Sequence, residues 1–93
     1  MHSPEIKAFI RSHSALFWSI PEDKKEEISE EVLVEYILNY GDMKSIRRLI
    51  DLLGMKQVAD IFFRSVNLSE RRKNNYHELS LNYFTLFFQR YAH

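Results

Sequence analysis

The chain contains no cysteine, which excludes disulfides and thiolate zinc sites outright. It also lacks any apolar run near the ~18 residues that cross a bilayer, so no membrane-spanning segment is expected. Glu5, Lys7 and Arg11 interrupt the stretch where a secretory signal would be uniformly apolar. The default reading is a cytoplasmic protein. Glycine is scarce: only Gly41 and Gly54 are present, too few and too far apart for a glycine-rich phosphate loop. Alternation of period two persists nowhere, so strands are not expected. His2, His13, His77 and His93 are dispersed, so no metal-ligand set is expected. No serine is marked as a nucleophile, and no cofactor is implied.

Net charge is likewise missing, but its zero hides a split. Residues 1–40 carry eight acids against four bases, a net of −4, whereas residues 41–93 carry nine bases against five acids, a net of +4. Such a division is silent if the halves pack together; otherwise it leaves a basic face for phosphates or an acidic partner.

What is present is a 93-residue chain that is 45% apolar, enough for one core and too little for two. The expectation is one all-α domain over residues 1–93, compact, with about five helices and short connections. Ser3 as N-cap and Pro4 at the first position open a helix over about 4–13. "ALFWSIPEDKKEE" follows as an irregular aromatic segment and a charged connector. Ser29 caps a second helix whose apolar face is Val32, Leu33, Tyr36, Ile37 and Tyr40. Gly41 ends it in a left-handed conformation and Asp42 caps the next, with Ile46, Leu49, Ile50 and Leu53 inward until Gly54. "MKQVADIFFRS" turns Met55, Val58, Ile61 and Phe62 inward. A closing helix, capped by Ser80, is apolar nearly all round, so it is either central or buried against something else.

Between the last two helices lies "SERRKNNYH", residues 69–77. Arg72 and His77 have a spacing, R-x4-H, that occurs in a large family of all-α ribonuclease toxins. There a cation and an imidazole act on the scissile phosphate. Seven arginines and four histidines produce about one such match by chance, and the run has poor helical character. It reads as a solvated connector, and catalysis has no positive support: the protein is not expected to be an enzyme. His13, on an apolar face, reads as a hydrogen-bonded core histidine.

A helix-turn-helix centred on Gly54 fails because Asp60 occupies a position that motif keeps apolar. Lys44, Arg47 and Arg48 nevertheless share an outward helix face, and with Arg71 and Arg72 they are the candidate phosphate contacts. Phe17, Trp18 and Tyr83 are the candidate partner-binding residues, because the aromatic content exceeds what one small core hides.

"LFW" at 16–18, "VEYILNYGDMKSIRRLI" at 34–50 and "LSLNYFTLFF" at 79–88 together resemble a family of small bacterial all-α proteins. That family has FW near the start, a YGD helix junction and a terminal N-[FY]-[FW] helix. The matching positions are Trp18, Tyr40, Gly41, Asp42, Asn82 and Tyr83. Its members are often encoded beside nucleotidyltransferase-like toxins of the abortive-infection type. The resemblance implies an antitoxin or accessory role and no catalytic residue. The expected partner is therefore another protein chain, in a hetero- or homo-oligomer, with nucleic acid as the alternative.

Overall fold

The computed structural model describes residues 2–68 and 76–92. Among them are five α-helices, two 3₁₀ turns and no strand, as the missing period-two pattern requires. The helices are α1 (Pro4–Ser12), α2 (Glu30–Tyr40), α3 (Met43–Leu53), α4 (Met55–Leu68) and α5 (Glu78–Tyr91). The 3₁₀ turns, Ser14–Phe17 and Glu22–Glu27, lie between α1 and α2. The radius of gyration is 12.5 Å, that of one compact domain of this length.

Local cap chemistry fixes three of the helix starts. Ser3 Oγ accepts the Ile6 N–H at 3.3 Å, Ser29 Oγ the Val32 N–H at 3.2 Å, and Asp42 Oδ1 the Ser45 N–H at 2.8 Å. Each satisfies a donor that the first helical turn leaves without an intrahelical acceptor. α5 departs from expectation. It starts at Glu78 rather than after a Ser80 cap, and the His77 N–H is held across the fold by Asn39 Oδ1 at 3.0 Å.

α2 packs against α3, α4 and the first 3₁₀ turn. Its buried residues are Leu33, Val34, Ile37 and Leu38, while Val32 and Tyr36 are half-buried and Tyr40 is exposed. The face is therefore rotated from the one expected. With seven apolar residues in eleven, periodicity cannot choose a face, and the tyrosines take the outer side because their hydroxyls need water or a partner. Tyr36 finds Ser19, whose Oγ lies within hydrogen-bond distance of its hydroxyl.

Both glycines end helices, for different reasons. Gly54 has φ +93° and ψ 143°, a conformation essentially reserved for glycine. Gly41 does not take the left-handed conformation expected of it: its φ is −80° and ψ 159°. A Cβ there would meet the Ile37 carbonyl oxygen at 2.7 Å and Ser45 Cβ at 3.3 Å. Close approach, not backbone handedness, demands glycine at this junction.

One apolar cluster runs through all five helices. Phe62 of α4 is its aromatic centre, meeting Tyr76 at 5.2 Å, Phe84 at 6.4 Å and Phe88 at 5.5 Å between ring centroids. The charged connector expected near residues 21–27 proves to be the second 3₁₀ turn, and it buries Lys25. The Lys25 ammonium donates to the Ser14 carbonyl at 2.9 Å and to Glu22 Oε1 at 2.7 Å. Those bonds offset the cost of removing a cation from water.

Candidate functional site

The candidate partner-binding residues separate. Phe17 is fully buried and stacks on Tyr36 at 5.4 Å, so it is a core residue and not a docking residue. Trp18, its neighbour, is 74% exposed. Three residues per turn point successive side chains about 120° apart, and that rotation puts one ring inside and the next outside. Tyr83 is half-exposed on α5.

α5 carries more surface than the sequence reading assigned to it. Phe84 and Phe88 are buried, yet Leu79 is 83% exposed and Leu86 68%. Leu79, Tyr83, Leu86 and Arg90 follow one another at spacings of four, three and four, which is one helix face. Beside this face, Tyr83 and Phe87 meet Met43, Ile46 and Ile50 of α3 around an apolar groove of about 210 Å³. Leu79 and Leu86 were legible only as part of an apolar surplus, because nothing in the sequence says which side of α5 faces the core.

Lys44, Arg47 and Arg48 are all exposed on α3, as expected. They border a cleft of about 480 Å³ that also contains Asp42 and Asp51. Three bases against two acids leave the cleft only weakly positive. The Asp42 carboxyl sits below its ordinary range, because the Ser45 N–H and hydroxyl hydrogen-bond to it, with smaller help from His13 and Lys44. Arg71 and Arg72 lie outside the described residues, as does most of the 69–77 stretch. Of that stretch Tyr76 is buried, contrary to a wholly solvated connector, and His77 is exposed with its ring edge-on to Tyr40 at 5.3 Å.

His13 is half-buried and lines the same cleft. Its Nδ1 lies 2.9 Å from the Phe9 carbonyl, and its Nε2 lies 2.8 Å from Ser45 Oγ. A serine and an imidazole at this distance invite a nucleophile reading. However, the carboxylate of Asp42 engages Ser45, not the far imidazole nitrogen where a Ser-His-Asp relay needs it. The arrangement ties the end of α1 to the start of α3. Among the described residues there is no metal-ligating cluster, and no helix is long and apolar enough to cross a membrane.

No protein-family model, curated protein or solved structure matches this chain.

Proposed function

We propose that this protein is a non-enzymatic interaction module of the bacterial cytoplasm. It docks other protein chains on apolar side chains that its own core leaves outside. The observation that carries this reading is the exposure of Leu79 and Leu86 opposite the buried Phe84 and Phe88. An apolar face of this kind on a small domain is the usual mark of an interface. Trp18 supplies a second anchor of the residue type most enriched at binding hot spots. The resemblance of residues 16–18, 34–50 and 79–88 to neighbours of nucleotidyltransferase-like toxins makes such a toxin the first partner to test. The role would be that of an antitoxin or accessory subunit. The experiment is titration of the purified protein against a toxin-like protein encoded beside it. A stoichiometric complex weakened by Trp18→Ala is expected. Failure to bind any such protein, together with absence of self-association, would refute the module reading.

A second reading, binding of DNA or RNA, is favoured by the shared exposed face of Lys44, Arg47 and Arg48. Phosphate contacts would make affinity fall steeply with salt. Asp42 and Asp51 in the same cleft weigh against it.

A further inference from the structure

Resting on the module reading, we infer that the outward face of α5 is occupied by a second copy of this chain, the two α5 helices running antiparallel across a two-fold axis. The spacing of the face carries this assignment. Leu79, Tyr83, Leu86 and Arg90, at intervals of four, three and four, read identically in either direction about the helix midpoint. Turning one α5 end for end sets Tyr83 against Leu86 of the second copy, and Leu79 against the stem of its Arg90. That is the side-chain layering of an antiparallel two-helix seam.

Charge agrees with this direction. From Leu79 to Gln89 the helix carries no ionisable charge, and Glu78 and Arg90 stand alone at its two ends. Antiparallel pairing brings each Arg90 to the end of the partner helix that carries Glu78, a flanking pair of opposite charge. It also holds the two Arg90 side chains roughly 16 Å apart along the axis, eleven residues at 1.5 Å each. A parallel pair would press arginine against arginine within the seam, an arrangement disfavoured by repulsion between like charges at close range. The area is sufficient but small. Fully covered, the four residues would offer on the order of 500 Å² per chain, or about 1,000 Å² for the pair, at the lower limit for a specific interface. Interfaces of this size are characteristically weak and reversible.

Sedimentation velocity of the full chain, from about 1 µM to several hundred µM, tests the inference. The parent should pass from monomer to dimer. Leu86→Glu should remain monomeric and folded, since the position is mostly exposed. Glu78→Lys and Arg90→Glu should each weaken association about tenfold, because each homodimer then opposes like charges. An equimolar mixture of those two variants should recover it, since both end pairs are again opposite in sign. A parent that stays monomeric throughout, or a mixture no more associated than its components, overturns the antiparallel pair. Toxin binding weakened by both Trp18→Ala and Leu86→Glu would then leave the module reading standing without it.

Discussion

Alanine at position 41 sets two opposed effects against each other, and the structure decides the sign. The φ of −80° and ψ of 159° at Gly41 are values that alanine adopts without strain. In open space the substitution would stabilise by about 0.4–1 kcal/mol, through reduced freedom of the unfolded chain. The space is not open. The new methyl would stand 2.7 Å from the Ile37 carbonyl oxygen and 3.3 Å from both Ile37 Cγ2 and Ser45 Cβ. The first of these is backbone, and the same oxygen accepts the Gly41 N–H at 2.8 Å, so neither partner can swing aside. Forcing a methyl into filled space costs about 1–3 kcal/mol, which leaves a net loss of ~1.5 kcal/mol. For a domain of this size that lowers Tm by roughly 6–12 °C. Urea and thermal unfolding followed by circular dichroism measure it directly. A Gly41→Ala protein as stable as the parent, or more so, would refute the steric argument.

Phe88→Ala should cost about 3–5 kcal/mol, and Phe87→Ala distinctly less, because Phe88 is buried beside Phe62 and Phe87 is half-buried at the groove; equal losses in urea unfolding would contradict that assignment. Asp42→Ala should lower Tm at neutral pH. Since the folded carboxyl titrates below its ordinary range, the stability it supplies is present above that range and lost as pH falls through the folded value. The gap between parent and variant should therefore narrow in acid, and a gap independent of pH would remove the cap argument.

Most features that depend on neighbouring residues were legible in the sequence, the Ser80 cap and the left-handed Gly41 being the exceptions. Ser3, Ser29 and Asp42 cap where expected because a cap needs only its own helix turn. The all-α architecture and its short junctions likewise follow from helical periodicity and the paucity of glycine. Features that depend on distant residues were not. Lys25 read as part of a charged connector until the Ser14 carbonyl, eleven residues away, was placed beside it. Tyr76 looked solvated among polar neighbours until Phe62 appeared against its ring. Phe17 and Trp18 are adjacent and both aromatic, and only the rotation of a 3₁₀ turn tells them apart. At the candidate site the same limit applied. The surplus of apolar residues in α5 was visible, but its outward face became definable only when Phe84 and Phe88 were placed inward.

The brevity of the connections has a consequence for how the chain finds this fold. α2, α3 and α4 follow one another across Gly41–Asp42 and Gly54 alone, so their mutual contacts join residues close in sequence. Little closure entropy is spent in bringing them together, and topologies dominated by such local contacts form with a short search. These three are expected to pair first and to offer the apolar surface on which the ends of the chain dock, an order that φ-value analysis would measure. α5 must come from beyond residue 77 to reach Phe62, and α1 must be tied back through the His13–Ser45 hydrogen bond and the Arg11–Glu26 ion pair. Assembly is therefore expected to run from the middle of the sequence outward.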